Sequence, residues 1–270
     1  MRNPPRRIRT KLERGESVFG VTVQLPSPES VEIAGYAGYD FAWIDAEHGT
    51  MGISDINHLV RAADAVGIDS IVRVPDHSAS FIQRVLDTGA TGIMAPHIRT
   101  LVEAKSVVEA ARFAPRGVRG ACPATRAVGH LTEDWYGDYV RADQDVLVFG
   151  LIEDVEGVEN VEEIVRHSGI DGILCGPFDL AMSLGLHGDV TDPRVTDMQT
   201  RVAHAARDAG LQYVAISGWE KRSTERLVED GVRIFNVSGD RGVLHIEFKK
   251  ALAQAAAAVA AAGKPEAVAS

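Results

Sequence analysis

With 270 residues, 45% of them hydrophobic, the chain is long enough to bury a sizeable core and too apolar to be disordered. Its net charge of −10 leaves no basic surface for a nucleic-acid partner. No run of roughly 18 apolar residues occurs, and the first residues lack the apolar segment of a signal peptide. Cys122 and Cys175 lie far apart, without metal-finger spacing. We therefore expect a cytoplasmic protein with no membrane partner.

Short apolar runs alternate with amphipathic stretches along the chain. The runs that predict strands are 18–25, 41–45, 70–74, 92–98, 147–153, 172–177, 211–217 and 232–238. The stretches that predict helices are 28–38, 54–67, 78–89, 100–113, 156–169, 195–210 and 220–231, with 251–263 extending the last helix. Junctions of helix, glycine and strand recur, as in AGYDFAWI and SGIDGILC, which is typical of repeated βα units.

Eight strands that alternate with helices predict a single-domain α/β fold, the (β/α)8 TIM barrel, which typically needs about 250 residues. A doubly wound open sheet is the alternative, but no GxGxxG or GxxxxGKS/T turn follows any of the strands. Residues 1–17 are expected to form an N-terminal arm, 18–263 the barrel and 264–270 a frayed tail. A long βα insertion over 114–146 precedes the fifth strand.

Titratable side chains gather where the predicted strands end, which is where a barrel of this kind places its active site. The ends of strands two, three, five and six carry Asp45, Glu47, His48, Arg73, Glu153 and Asp179. A polar turn would explain any one of these segments alone. Their occurrence together at one rim favours an active site.

Arg73 has two interpretations, because a lone arginine inside a β-strand is costly to bury without anionic partners. It could form an internal ion pair with Asp45 or Glu153. It could instead bind a substrate carboxylate or a developing enolate oxygen through its planar guanidinium. The surplus of carboxylates at this rim favours the second role.

Glu153 and Asp179 offer hard oxygen ligands from adjacent strands, which suits Mg²⁺, Mn²⁺ or a similar cation; pairing with arginine is the alternative. The short helical pattern after Gly176 offers backbone N–H groups for a substrate carboxylate. His48 is the natural base, and Asp45 is expected to hold its tautomer. No lysine lies at a predicted strand end, so a Schiff-base mechanism lacks its nucleophile, and no GxSxG motif for acyl transfer occurs. The mechanism that remains is acid–base chemistry at a metal-bound carbonyl compound.

These residues give the chain a resemblance to the HpcH/HpaI aldolase family. The segments that carry it are 19-FGVTVQLPSPESVEIAGYAGYDFAWIDAEHG-49, 71-IVRVP-75, 84-RVLDTGATGIMAPHI-98, 116-RGVRG-120, 150-GLIED-154 and 174-LCGPFDLAMSLG-185. The chain thus resembles metal-dependent class II pyruvate aldolases, including 4-hydroxy-2-oxoheptanedioate aldolases. That resemblance implies a barrel similar to phosphoenolpyruvate/pyruvate domains.

The resemblance also implies residue roles. Glu153 and Asp179 would bind a divalent metal ion such as Mg²⁺, Mn²⁺ or Co²⁺. His48, paired with Asp45, would transfer the proton, and Arg73 would stabilise the enolate.

Further implications concern the substrate and the assembly. The backbone at Gly176 and Phe178 would hold the pyruvate carboxylate. Asp87 would approach the site from a neighbouring subunit, although from sequence alone it is an ordinary charge at a helix C-terminus. The expected partner is a second copy of the chain, in a hexamer built as a trimer of dimers with a swapped final helix. In one departure, Leu151 stands where many members carry glutamine near the metal.

The function expected from the resemblance is reversible cleavage of a 4-hydroxy-2-oxo acid into pyruvate, or a related 2-oxo acid, and an aldehyde through a metal-stabilised enolate. One alternative keeps the enolate and either decarboxylates oxaloacetate or uses the enolate to form a new carbon–carbon bond. Another is a CoA-thioester lyase of the citrate-lyase type. A non-catalytic barrel that serves as a scaffold is the alternative from a different class.

Overall fold

The computed structural model describes residues 7–218 and 222–262, which contain a closed barrel of eight parallel strands. The strands β1 to β8 are Val18–Val23, Phe41–Asp45, Asp69–Arg73, Gly92–Ala95, Leu147–Ile152, Gly172–Cys175, Gln212–Ile216 and Ile234–Gly239. Each strand pairs with the next one in the chain, and β8 closes the barrel against β1. The TIM-barrel prediction is confirmed, and the open doubly wound sheet is excluded.

Helices alternate with the strands and surround the barrel. Helices α1 to α12 are Arg7–Glu13, Pro28–Tyr36, Ile53–Val66, Ala79–Asp87, Leu101–Ala111, Trp135–Gln144, Val155–Glu159, Val161–His167, Pro177–Ser183, Pro193–Asp208, Thr224–Glu229 and Asp240–Ala262. The predicted tail, 264–270, lies outside the described residues, as do 1–6 of the predicted arm and 220–221 of a predicted helix.

Two predicted segments contain more structure than expected, and one helix is divided. The predicted arm contains α1, and the insertion over 114–146 contains α6. The helix predicted over 156–169 is two short helices, α7 and α8, that meet at Asn160.

Helix α1 closes the N-terminal end of the barrel. Ile8 is only 1% exposed and belongs to the apolar cluster inside the cylinder. Its main-chain N–H donates to Asp69 Oδ2 at 2.8 Å, at the first residue of β3. Because this end is covered, access to the interior is from the C-terminal ends of the strands.

The core has two layers that follow from the alternation of side chains along each strand. One layer lies between the sheet and the helices and contains β-branched residues such as Val72, Ile93 and Val148. The other fills the cylinder and includes Trp43, Leu151, Leu174, Val214 and Ile234. Full burial of each large apolar side chain contributes roughly 1.5–3 kcal/mol to stability. The upper members of the inner layer form the floor of the mouth.

Helix α12 differs from the others because none of its described side chains is buried. Its exposed apolar residues are Val243, Leu244, Ile246, Phe248, Leu252 and Val259. Such a long apolar surface on a water-exposed helix is typical of a protein interface.

Within the described residues, no helix combines the length and apolarity needed to cross a membrane.

Candidate active site

The C-terminal ends of the strands surround a cavity of about 310 Å³. Seven of the eight predicted site residues line this cavity: Asp45, His48, Arg73, Glu153, Gly176, Phe178 and Asp179. They come from strand ends and loops distributed over positions 45 to 179 of the sequence. The closed barrel brings them together because parallel strands all end at the same rim.

Asp45 is fully buried at the end of β2, and donors surround its carboxylate. Gln24 Nε2 donates to Oδ2 at 2.9 Å, and the main-chain N–H groups of Glu47 and His48 donate to Oδ1, each at 3.2 Å. Burial acts to raise the pKa of Asp45, but Arg73 and the bonds from Gln24 and His48 outweigh it and hold the pKa below its ordinary value. Asp45 is therefore a stable anion beneath the rim.

Arg73 is held by two carboxylates. Its Nε and Nη2 donate to the two oxygens of Asp45 at 3.0 and 2.6 Å, and its Nη1 lies 3.0 Å from Glu47 Oε2. The ion pair with Asp45, one of the two interpretations of Arg73, is therefore present. Arg73 also lines the cavity, so the ion pair does not exclude a contact with substrate. The role of Arg73 toward substrate stays a prediction.

The expected support of the His48 ring by Asp45 is wrong. Asp45 accepts the main-chain N–H of His48, because the tight turn after β2 points these N–H groups back at the carboxylate. The ring faces outward instead, with its side chain 60% exposed and Nε2 3.8 Å from Glu47 Oε2. Glu47 is thus the carboxylate nearest to the imidazole.

A cluster of three side chains lies beside Arg73. His97 Nδ1 is 3.0 Å from Glu153 Oε1, and His97 Nε2 is 3.4 Å from Glu47 Oε1. The main-chain N–H of His97 also donates to Glu153 Oε1, at 2.7 Å. This double contact requires an unusual turn after β4, because His97 has a left-handed φ of 50°.

Glu153 is 3% exposed at the centre of the negative charge. Burial raises the pKa of Glu153 above its ordinary value; the main-chain N–H and the ring of His97 oppose this effect, and the charges of Glu47 and Asp179 add to it. An ionised carboxylate here is therefore unfavourable without a nearby cation.

The donor set fits a divalent cation. Glu47, His97 and Glu153 provide three ligand atoms that lie within 4.8 Å of one another. Carboxylate and imidazole donors together suit ions such as Mn²⁺ or Co²⁺, and carboxylates alone suit Mg²⁺. Of the two predicted ligands, Glu153 belongs to this set, whereas Asp179 lines the same cavity without being one of the three.

Gly176 does not have the role predicted for its backbone. Its N–H already donates to the Ile152 carbonyl at 3.0 Å, because the strand pairing of β5 and β6 continues to this residue. What the site requires of Gly176 is its small size, since a Cβ there would lie 2.7 Å from Glu153 Oε2. Phe178, in the first turn of α9, lines the cavity, and its contact with a substrate carboxylate stays a prediction.

Asp87 lies outside this cavity. It ends α4, pairs with Arg119 Nη2 at 3.0 Å and lines a separate surface pocket. Its predicted approach to the site of a neighbouring subunit stays a prediction.

Two residues of the site, Glu47 and His97, were not predicted as metal ligands or catalytic residues. Glu47 lies between Asp45 and His48 in the sequence, so its position two residues after a strand end was an available signal. His97 follows β4, but nothing in the sequence indicates that its backbone adopts a left-handed conformation. Leu151, the expected departure from the family pattern, packs under the site with Leu174 as part of an apolar floor.

Comparison with known proteins places this geometry in a family. The family model described as HpcH/HpaI aldolase/citrate lyase matches residues 19–246. The chain is 31% identical to a hydroxypyruvate/pyruvate aldolase of Paraburkholderia phytofirmans, over 83% of this chain and 96% of that protein. It is 29% identical to a 5-keto-4-deoxy-D-glucarate aldolase of Escherichia coli, over 91% and 95%. Among solved structures, citrate synthase SbnG matches with a TM-score of 0.82 and 31% identity, over 92% and 96%. These relatives support a lyase, and the chain belongs to the HpcH/HpaI aldolase/citrate lyase family.

Proposed function

We propose that the protein is a divalent-metal-dependent aldolase that reversibly cleaves a 4-hydroxy-2-oxo acid into pyruvate, or a related 2-oxo acid, and an aldehyde. One observation carries this proposal: the partly buried guanidinium of Arg73 lines the same cavity as Glu153, which forms a cluster with Glu47 and His97. A cation-binding cluster beside a fixed positive charge suits a substrate that becomes an enolate.

In this proposal Glu153 holds the metal ion, assisted by Glu47, His97 and Asp179. When bound, a divalent ion supplies Lewis-acid polarisation of the 2-oxo carbonyl. The positive charge of Arg73 lies where negative charge develops on the C2 oxygen, and its two carboxylate partners keep the guanidinium from turning away.

The exposed ring of His48 handles the proton at the rim. It accepts the proton of the substrate's 4-hydroxyl group while the C3–C4 bond breaks, the aldehyde carbonyl forms, and the electron pair moves toward the C2 oxygen. Protonation at C3 then gives the 2-oxo acid. Glu47 Oε2 lies 3.8 Å from the imidazole Nε2 and is the acidic group beside the ring.

The test is removal of the metal. Treatment with a chelator should lower the rate of pyruvate release from 4-hydroxy-2-oxopentanoate at least about 100-fold, because the Lewis acid is lost. Addition of Mg²⁺, Mn²⁺ or Co²⁺ should restore it, measured by reduction of pyruvate in a coupled assay. Pyruvate release that persists at full rate in the chelated protein would refute the proposal.

A second candidate function is supported by the similarity to citrate synthase SbnG. In it, an enolate from oxaloacetate decarboxylation, or from another donor, forms a new carbon–carbon bond. Product analysis with oxaloacetate, with and without an aldehyde, separates the two functions. For the CoA-thioester lyase the support is the family description, which also names citrate lyase. A scaffold without activity would turn over none of these substrates.

We also propose that the protein is a homo-oligomer, expected as a trimer of dimers, and that it is cytoplasmic. The unburied apolar surface of α12 supports it, because an isolated chain would expose this surface to water. Phe248→Asp should raise the dissociation constant of the assembly at least about tenfold, measured by light scattering after size exclusion. Gln254→Asp, on the same helix, is the matched control and should leave the mass unchanged. A monomeric unsubstituted protein would contradict this assembly.

A further inference from the structure

The chain segment that leaves β1 is held by the first residue of α12. Asp240 Oδ1 accepts the main-chain N–H of Gln24, and Asp240 Oδ2 accepts that of Leu25, each at 3.0 Å. In the parallel ladder, Thr22 still pairs with Gly239, the last residue of β8. Beyond that pair the chain after β8 becomes a helix, so the carboxylate of Asp240 replaces the acceptors that a longer strand would supply.

The side chain of Gln24 connects this segment to the buried anion at the end of β2. Gln24 lines the cavity, and its Nε2 donates to Asp45 Oδ2 at 2.9 Å. The same oxygen accepts Nη2 of Arg73 at 2.6 Å. An ionised carboxylate can only accept hydrogen bonds, so Asp45 requires the nitrogen of the amide and thereby fixes how the amide is turned. Hydrogen bonds therefore link α12 to the guanidinium of Arg73 through the single residue Gln24.

The two oxygens of Asp45 are held unequally, which makes the bond from Gln24 important. Oδ1 accepts Nε of Arg73 and the main-chain N–H groups of Glu47 and His48. Among the described residues, Oδ2 accepts only from Arg73 and Gln24. Without Gln24, Oδ2 would be held only by the guanidinium that it has to orient, so the two groups could move together. A displacement of about 1 Å in a group that stabilises the transition state can cost about 100-fold in rate.

Capping of α12 does not account for all the contacts of Asp240. Its Oδ1 also accepts the main-chain N–H of Arg241 at 2.7 Å, within the first turn of the helix. The bonds to Gln24 and Leu25, however, leave the helix. Nη2 of Arg241 also donates to the Gln24 carbonyl, at 3.1 Å. The start of α12 thus holds both main-chain polar groups of Gln24, the residue whose side chain contacts Asp45.

We propose that Asp240 is a positioning residue, which acts through Gln24 to fix the pair of Asp45 and Arg73 at the mouth of the barrel. This inference rests on the proposed aldolase function, because it takes Arg73 as the group that stabilises the enolate. Asp240 does not have to touch the reacting atoms. Its loss should therefore lower the rate of enolate formation and leave the affinity for the metal ion unchanged.

The experiment measures exchange of the pyruvate methyl protons in D₂O with saturating Mn²⁺, because this exchange reports enolate formation without an aldehyde. Asp240→Ala and Gln24→Leu should each lower the maximal exchange rate about 10-fold, since Arg73 is no longer fixed. The pyruvate concentration at half-maximal rate and the Mn²⁺ dissociation constant should change less than about twofold, because the removed contacts orient only the group that acts in the transition state.

A double variant tests whether the two residues act in one path. Because Asp240 acts through Gln24, Asp240→Ala/Gln24→Leu should exchange no more slowly than the slower of the two single variants. Two independent losses would instead multiply to about 100-fold, and that result would overturn the proposal.

Asp40→Ala is the matched control, because Asp40 holds the other end of β1. Asp40 Oδ2 accepts the main-chain N–H of Phe19 at 3.0 Å, and Asp40 does not line the cavity. This variant should lower the Tm while the exchange rate stays normal. If Asp240→Ala does not fold, Asp240→Asn retains one acceptor oxygen and should also lower the exchange rate.

The outcomes separate the positioning role from the proposed function. Normal exchange in the folded single variants would overturn the positioning role alone. Absence of exchange in the unsubstituted protein with metal would overturn the aldolase function and the positioning role with it.

Discussion

Glu153→Gln should lower kcat/KM for aldol cleavage on the order of 1,000-fold while the protein folds normally. Glutamine preserves the shape of the side chain and can still accept the main-chain N–H of His97 at its amide oxygen. It removes the negative charge that the proposed cation requires. Mn²⁺ affinity, measured by titration calorimetry, should fall together with activity.

The same substitution should stabilise the metal-free protein. Burial and the charges of Glu47 and Asp179 raise the pKa of Glu153, so above its unfolded-state pKa the ionised carboxylate destabilises the fold. The neutral amide removes this penalty at neutral pH. Calorimetry in the presence of a chelator should therefore give a higher Tm for Glu153→Gln than for the unsubstituted protein.

Glu163→Gln is the control, because Glu163 is an exposed residue of α8 and should affect neither activity nor Tm. A Glu153→Gln variant with normal cleavage would remove Glu153 from the proposed metal site. A variant that is inactive and also less stable would indicate a purely structural role for the carboxylate.

The barrel was predictable because its signals are periodic and local. Repeated junctions such as AGYDFAWI mark the starts of strands, and β2 has the predicted bounds of 41–45. Strand ends were less predictable. The run 92–98 was predicted as one strand, but β4 ends at Ala95. Ile98 is as apolar as a strand residue, yet it is buried in the loop, where its N–H donates to Leu151.

The helix α1 shows a different limit of local patterns. Its sequence, RIRTKLE, is highly charged, and only Ile8 is buried. Its two apolar positions, Ile8 and Leu12, are too few to establish a periodicity, so the segment was predicted as an arm. Its position depends on Asp69, 61 residues later in the chain, which accepts the Ile8 N–H.

The composition of the site was predictable from strand ends, but its internal contacts were not. The sequence placed Asp45, His48 and Arg73 at one rim, as the structure does. Which atoms of His48 face Asp45 depends on the turn after β2, and the turn presents the main chain rather than the ring. The position of His97 depends on a positive φ that non-glycine residues rarely adopt.

Arg73→Ala should reduce both stability and activity. Asp45 would stay fully buried without its bidentate partner, and the loss of one member of a buried ion pair costs about 3–5 kcal/mol. Cleavage should fall on the order of 1,000-fold, because the positive charge at the developing enolate is lost. Urea unfolding and the pyruvate assay measure the two effects. Arg201→Ala is the control, since Arg201 pairs with Glu162 at an exposed site that contributes at most about 1 kcal/mol.

The double variant Asp45→Asn/Arg73→Ala distinguishes the two interpretations of Arg73. Removing the buried charge of Asp45 together with its partner should recover much of the stability that Arg73→Ala loses, since no uncompensated carboxylate remains at this position. If Arg73 acts on the substrate, activity should stay as low as in the single variant. If Arg73 only neutralises Asp45, activity should return with stability, and the role of the guanidinium at the enolate would be refuted.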